Sequence, residues 1–397
     1  MSTTARPIVR LLPSRHKRVV EGHPWVYSNE AAMDAAAKAL APGTVVKIAA
    51  ADGRMLGAAF FNPHSLIAGR MLSRDADAAI GADFLAAKLT SALALRETLF
   101  DRPFYRLVHS EGDGLPGLIA DRFGDVVVCQ LNAAGMDRLS GELLAALDAV
   151  LAPTAVVFRN DTPARSLEGL ERVVTVAKGE VAAPIAIEEG GARFFIDPLG
   201  GQKTGWFFDQ RDNRAFMATL AKGRRVADFY SYTGGFAIRA ALAGASEVLA
   251  FDSSEPALDL ARKSAEANGV AALCRFAKAE AFGEMERLGG VGERFEVVIC
   301  DPPAFVKSRK DLNAGAKGYR KMARLAAGIV APGGFLFAAS CSHNMPADRF
   351  GEEIAKGVAQ TGRSGRVIRH AGASPDHPIH PLLPESAYLK AAVLQLD

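Results

Sequence analysis

The sequence predicts an α/β protein in three parts that ends in a doubly wound, mostly parallel sheet. Three observations lead there. From Gly190 onward, short β-branched runs alternate with helical patterns, the signature of a parallel sheet with crossover helices. Residues 6 to 75 hold only short strands and turns. The chain has 397 residues, and at about 150 residues per domain it has room for two or three. The expected limits are 1–75 for a small all-β unit, 76–185 for a central α+β unit and 186–397 for the α/β unit.

In the first part, Val45 to Ile48 reads as a strand, Ala51-Asp52-Gly53-Arg54 as a turn, and Met55 to Phe61 as the returning strand. Asn62-Pro63 ends that strand, and Ile67 to Leu72 supplies another. Asp77 to Leu99 is rich in Ala and Leu and predicts one long helix. In the central part, Val126 to Leu131 and Ala155 to Arg159 read as strands around a helix from Met136 to Leu151. Thr175 to Ala177 and Ile185 to Ile187 are further strand candidates. In the last part, strands are expected at Arg225–Tyr230, Glu247–Asp252, Leu273–Ala277, Phe295–Cys300, Gly334–Ser340 and Arg366–His370. Helices are expected at Phe236–Ala243, Glu255–Asn268, Phe282–Leu288, Gly318–Val330 and Ala347–Gln360. The terminal run Tyr388 to Leu396 is β-rich and reads as an added edge strand.

Composition narrows the function. Apolar residues make up 49% and charged residues 23%, so disorder is excluded as the dominant state. Four cysteines, with no Cys-x-x-Cys spacing, support neither a disulfide scaffold nor a structural zinc site, and no metal is expected. No run approaches the ~18 apolar residues that span a bilayer. The basic amino terminus lacks the apolar core of a secretory signal, so the expected location is the cytoplasm. The net charge of +3 hides three basic clusters. Arg6, Arg10, Arg15, Lys17 and Arg18 form the first; Lys307, Arg309, Lys310, Lys317, Arg320, Lys321 and Arg324 the second; Lys356, Arg363, Arg366 and Arg369 the third. They fit either a polyanion track or solvated faces.

Ligands of such a sheet sit at the carboxyl ends of its strands. The first strand runs into Asp228-Phe229-Tyr230-Ser231-Tyr232-Thr233-Gly234-Gly235-Phe236. Gly234 and Gly235 open the next helix, where the backbone can approach a ligand closely. Asp252 ends the second strand, in the place where an acid accepts both hydroxyls of a ribose. The site therefore suits an adenosine-containing cofactor. A dinucleotide site requires Gly-x-Gly-x-x-Gly around a pyrophosphate, which this turn does not match. Asp228 would repel a pyrophosphate and suits the ammonium of a methionine. S-adenosylmethionine is the expected cofactor.

Two more strand ends deliver chemistry. One carries Cys300-Asp301-Pro302-Pro303-Ala304-Phe305 and the next Ser340-Cys341-Ser342. Cys129, Cys274 and Cys300 follow or sit within apolar runs and read as small core residues. Cys341, flanked by serines, reads either as a buried strand end or as a nucleophile. A thiolate is needed for one methylation in particular, because carbon 5 of a pyrimidine is a poor nucleophile until a thiolate adds to carbon 6. Asp301 is placed to hydrogen-bond nitrogen 3 of a cytosine and stabilise the adduct. The rival chemistry is N-methylation, with the Asp-Pro-Pro carbonyls holding an amine and Phe305 stacking on the base. Phe305 reads equally as a wall residue. Either base must be unpaired or flipped out.

Together these residues resemble the bacterial class I S-adenosylmethionine-dependent methyltransferases of 23S rRNA, of the cytosine-C5 type. The shared motifs span the chain: His23 to Ser28, Glu111 to Leu118, Asp121 to Gly124, Gln202 to Arg211, Phe229 to Phe236, Cys300 to Phe305, Ser340 to Ser342, His377-Pro378 and Tyr388 to Lys390. The resemblance implies an amino-terminal RNA-binding PUA domain of β-barrel type, a central EEHEE-type domain and a Rossmann-like methyltransferase domain. It implies a cofactor pocket of Phe207, Asp209, Gln210, Arg211, Asp228, Tyr230, Ser231, Gly234, Gly235, Asp252, Ser253, Glu280 and Asp301. It makes Cys341 the nucleophile, with Asp301 as its catalytic partner, and 23S rRNA or a large-subunit precursor the substrate. Phe305, Lys307, Arg309 and Lys310 are the expected RNA contacts, and a second copy of the chain is a further candidate partner.

Two departures stand out. Glu280 occupies the place where related enzymes put an Asp against the adenine amine. Ala304 follows Asp-Pro-Pro, where better-known RNA cytosine-C5 enzymes carry a second cysteine, so product release falls to Cys300 or another base. Relatives with Asp-Pro-Pro-x-Phe and Ser-Cys-Ser include guanine-N7 enzymes. Three functions therefore stand: cytosine-C5 methylation, guanine-N7 or exocyclic-N methylation, and non-catalytic RNA binding. Trp25 is read as a core residue of the first part or an RNA-stacking one.

Overall fold

The computed structural model describes residues 6–397; the first five residues of the basic amino-terminal stretch lie outside them. The chain divides into two compact units. One holds Met1–Ala183, Pro198–Trp206 and Pro375–Ser386, and the other Pro184–Asp197, Phe207–Ser374 and Ala387–Asp397.

The first unit contains two five-stranded sheets. In one, Ile8–Arg10 pairs in parallel with Thr44–Ala49, which continues antiparallel through Met55–Phe61 and Gly69–Ser73 to Trp25–Val26. Val9, Val26, Val46, Ile48 and Phe61 close its core. The expected turn at 51–54 joins two of these strands, with Gly53 at φ +89° supplying the left-handed residue. Phe104–His109, Leu118–Phe123, Val126–Leu131, Ala155–Asn160 and Val173–Lys178 form the second sheet in chain order. The first two of these strands were not anticipated, because Arg106, His109, Asp121 and Arg122 interrupt their apolar pattern. Arg106 and Asp121 face each other in a buried pair at 2.8 Å, so the polar residues belong to the interior. The long helix starts at Ala82, later than expected, after Gly81.

Trp25 is half-buried, and its indole Nε1 donates to Glu111 Oε1 at 2.7 Å. Arg70 bridges the buried Glu111 and Glu168 at 2.8 and 3.2 Å. Burial pushes the Glu111 carboxyl upward, but Arg70, Ser110 and Trp25 together hold it below its ordinary value. Trp25 is thus a structural hydrogen-bond partner within this unit.

The second unit is built on a seven-stranded sheet, whose elements are numbered separately here. Its strands are β1 (Arg225–Phe229), β2 (Glu247–Asp252), β3 (Cys274–Lys278), β4 (Phe295–Cys300), β5 (Val330–Ser340), β6 (Gly365–Ala371) and β7 (Lys390–Leu396). Helices α1 (Gly235–Leu242), α2 (Glu255–Ala267), α3 (Ala281–Gly290), α4 (Leu312–Ile329) and α5 (Ala347–Ala359) connect them. The order is β3-β2-β1-β4-β5-β7-β6, with β7 antiparallel to both neighbours. The strand order reverses between β1 and β4, the position where such sheets bind ligands.

The expectation of a terminal edge strand is corrected. β7 lies inside the sheet, and the edge is β6. The residues show why. Ala391, Ala392, Val393 and Leu394 are all buried, as in a strand covered on both faces, whereas most of β6 is exposed. Ile185–Glu189 also differs from expectation: it pairs with Ala192–Ile196 in a separate hairpin and does not join the central sheet.

Candidate active site

Asp228 sits near the end of β1, fully buried. Its Oδ2 accepts the Ala237 amide of α1 at 3.1 Å, while Oδ1 has no hydrogen-bond partner. Burial, first, and then Asp301 and Asp252 push its carboxyl well above the ordinary range. The following turn is strained: Tyr230 and Tyr232 adopt φ +62° and +49°, at a cost of about 1–3 kcal/mol each. Ser231 N–H donates to Phe251 O at 3.0 Å and Tyr232 N–H to Asp252 Oδ2 at 2.9 Å, which hold the turn. Gly234 caps α1 at φ +80°, where a Cβ would meet Ala261, Phe276 and Ile238 at 3.1–3.3 Å.

Ser231 Oγ and Thr233 Oγ1 are buried without partners, as is Asp228 Oδ1. Three orphaned polar atoms, one of them on Asp228 itself, are costly in the chain alone, and with the Asp252 and Asp301 carboxyls acting on Asp228 they suit a cationic, hydrogen-bonding ligand. Asp252 receives Ser254 N–H on Oδ1 and Tyr232 N–H on Oδ2, both at 2.9 Å, leaving a further lone pair on each oxygen. Ser253 beside it is exposed. Glu280 is exposed and caps α3, accepting Gly283 N–H at 2.9 Å on Oε2.

The segment before Arg211–Thr219 also faces inward. Phe207 meets Tyr232 edge-on at 5.3 Å. Asp209 is buried and accepts the Tyr388 hydroxyl. Gln210 accepts Asn213 Nδ2–H at 2.7 Å. The Arg211 guanidinium lies 5.2 Å from the Phe208 ring centroid.

The ends of β4 and β5 form the second half of the site. Cys341 is half-buried and its Sγ lies 3.9 Å from Pro302 O in the Asp-Pro-Pro turn. The other three thiols are buried. Burial pushes Cys274 up to about 12 and raises Cys129 and Cys300 further, which disfavours their thiolates. Asp301 N–H reaches Phe229 O at 3.5 Å, joining the turn to β1.

A hydroxyl hub holds the thiol's strand to that turn. Ser340 Oγ–H donates to the Tyr319 oxygen at 2.7 Å, and the Tyr319 and Ser342 hydroxyls lie 2.8 Å apart. Val306 N–H donates to Ser342 Oγ at 3.1 Å, and Phe305 N–H to the Tyr319 oxygen at 3.4 Å. Tyr319, on α4, was not identified from the sequence. The two serines around Cys341 were its only local signal. Phe305 is half-buried and packs its ring 4.7 Å from Tyr319 and 6.0 Å from Phe282.

The basic clusters are engaged internally in part. Arg6 donates to the Ala76 and Ala78 carbonyls, and Arg18 pairs with Glu30. Arg320 and Lys321 pair with Glu353 and Glu286. Arg363 donates to the Ala327 and Val330 carbonyls, and Lys356 pairs with Glu352. Lys307, Arg309 and Lys310 are exposed and have no ion pair among the described residues. No helix among those residues is long and apolar enough to cross a membrane.

The sheet order, the glycine-capped helix and the acidic, hydroxyl-lined turn define an S-adenosylmethionine-dependent methyltransferase. The chain matches that family over residues 171–391 and the PUA-like domain family over residues 9–74. It is 36% identical over 386 residues to the ribosomal RNA large subunit methyltransferase I of Erwinia tasmaniensis, covering 96% of this chain and 97% of that one. It is 36% identical over 393 residues to the protein of the same name from Shewanella amazonensis, covering 98% and 99%. The chain belongs to the ribosomal RNA large subunit methyltransferase I family. The fold is shared with a solved protein of Streptococcus mutans at a TM-score of 0.83, with 21% identity and coverage of 98% and 100%. A solved methyltransferase complexed with SAH also gives 0.83, at 20% identity and coverage of 99% and 100%.

Proposed function

We propose that the protein methylates carbon 5 of a cytosine in 23S ribosomal RNA, free or in a large-subunit precursor, through a covalent adduct on Cys341. The observation that carries this reading is the half-buried thiol at the end of β5, 3.9 Å from the Asp-Pro-Pro carbonyl, while the other three thiols are buried. The name of the relatives supports the substrate class. On this reading residues 1–75 are the RNA-binding PUA domain, 76–185 the central domain and 186–397 the catalytic domain of a cytoplasmic enzyme.

When bound, S-adenosylmethionine supplies the methyl group. Asp228, Ser231 and Thr233 offer the buried oxygens that its cationic and polar groups need, and Asp252 offers lone pairs to the ribose. Phe207, Asp209, Gln210, Arg211, Tyr230, Gly234 and Gly235 line the same pocket on this reading, with Ser253 and Glu280 at its rim. The Cys341 thiolate adds to carbon 6 of the cytosine, and the carbon 5–carbon 6 π pair makes carbon 5 nucleophilic. Asp301 hydrogen-bonds nitrogen 3 and, when a proton is shared there, stabilises the adduct. After methyl transfer, loss of the carbon 5 proton re-forms the double bond and expels the thiolate. Phe305 walls the pocket.

RNA carrying 5-fluorocytosine at the target tests this directly, because fluorine cannot leave as a proton does. A stable protein–RNA adduct is expected, and Cys341→Ala should abolish it. Full methylation by Cys341→Ala, or N7-methylguanine in a nucleoside digest, would overturn the reading.

A further inference from the structure

We infer that the Lys390 ammonium activates Cys341 by pairing with its thiolate. This rests on the reading of Cys341 as the nucleophile and adds a positioning residue to it. Lys390 opens β7 and stands directly opposite Ser340 in the antiparallel ladder, so both side chains leave the sheet on one face. Cys341 is the next residue after Ser340. Lys390 Nζ–H donates to Ser342 O at 2.6 Å, which anchors the ammonium on the residue after the thiol. This bond fixes the cation on the backbone of the Ser-Cys-Ser turn.

The electrostatics agree with this placement. Burial lowers the Lys390 amine to about 8, and the Cys341 sulfur acts in the opposite sense, favouring the ammonium. The coupling is reciprocal: a charge that stabilises the ammonium is stabilised by it. When the thiolate forms, its proton leaves to water, the ammonium is already in place beside it, and no oxidation state changes. The other ionisable groups around the turn are Tyr319, which burial keeps protonated, Asp301 at the end of β4, His343 stacked 5.1 Å from Tyr388, and Asp209 beneath that tyrosine. Lys390 is the cation among them that is bonded to the Ser-Cys-Ser backbone.

The test reads the thiol itself. Full-length protein, without RNA or cofactor, is alkylated with iodoacetamide from pH 5 to 10, and modification of Cys341 is followed by peptide mass. The three buried thiols provide an internal check that each variant is folded. Lys390→Met and Lys390→Gln should shift the alkylation profile upward by about one pH unit, making Cys341 about tenfold less reactive at pH 7. Lys390→Arg keeps the cation and should restore most of that reactivity. Superimposable profiles for wild type and Lys390→Met would overturn the pair, as would loss of reactivity in Lys390→Arg equal to that in Lys390→Gln. Trapping with 5-fluorocytosine RNA runs alongside. A profile shift without trapping supports the pair and removes the cytosine reading; trapping with an unshifted profile removes the pair alone.

Discussion

The two halves of the candidate active site are finished differently by the protein. At the ends of β1 and β2, polar atoms are buried and left without partners: Asp228 Oδ1, Ser231 Oγ and Thr233 Oγ1. At the ends of β4 and β5, the hydroxyls of Ser340, Tyr319 and Ser342 satisfy one another and bind the adjoining amides. The first half is stabilised when a ligand completes it. The second is stable without one and serves to hold a thiol still. Substitutions should therefore act on ligand affinity in the first half and on reactivity or stability in the second.

The largest expected effect lies in the second half. Cys341→Ala should lower methylation by at least ~10³-fold, since nucleophilic catalysis is lost outright. Cofactor affinity, measured by calorimetry, should stay within about twofold. A parallel loss of cofactor binding would show that the two halves are not separable.

Asp228→Asn tests the first half. Cofactor affinity should fall by about 10–100-fold, the size of a buried charge-assisted contact of roughly 1.5–3 kcal/mol. The ligand-free protein should gain stability at neutral pH. The carboxyl is raised in the folded state by burial and by Asp301 and Asp252. Its contribution is therefore fully present below the unfolded pKa and is lost as pH rises through the folded one. Asn removes that loss, so denaturant titrations of wild type and variant should converge toward acid pH. Divergence there would reverse the sign of the argument.

Tyr319→Phe sharpens the contrast. It deletes the hub that touches Ser340, Ser342 and the Phe305 amide and leaves buried hydroxyls unpaired. About 1–3 kcal/mol of stability should be lost, with cofactor affinity unchanged. Unaltered melting would mean that the turn is held without the hub.

The first half was far more legible in the sequence than the second. Gly234-Gly235, Asp228 and Asp252 announce themselves because each lies at or just after the end of a strand, where the local pattern marks it. Tyr319 gave no signal, since its serine partners lie 21 and 23 residues away and its helix reads as ordinary apolar packing. Lys390 stood inside a quoted motif, yet its meaning depends on β7 entering the sheet beside β5. A sequence reading that put this strand at the edge could not bring it to Cys341. The basic clusters could be sorted only with the structure, for a related reason. Counting charges ignores carbonyl acceptors, and the carbonyls of Ala327 and Val330 occupy Arg363 as fully as a carboxylate would.

The smallest effect concerns the surface beyond the second half. Lys307, Arg309 and Lys310 follow the Asp-Pro-Pro turn and are exposed, unlike the engaged Arg6, Arg18 and Arg363. If they contact RNA phosphates, each contact releases a counterion, and the slope of log affinity against log salt falls by about 0.7 per contact removed. Replacing all three with Gln should flatten the slope by up to about 2 and weaken binding severalfold at low salt. At high salt wild type and variant should converge, because screening has already removed the difference. Catalysis at saturating RNA should be nearly unchanged, as none of the three touches Cys341, the hub or the acids. An unchanged salt slope would make them solvated charges and confine the RNA contact to other surfaces. A reduced turnover at saturation would instead join this loop to the hub, whose Val306 amide lies one residue before Lys307.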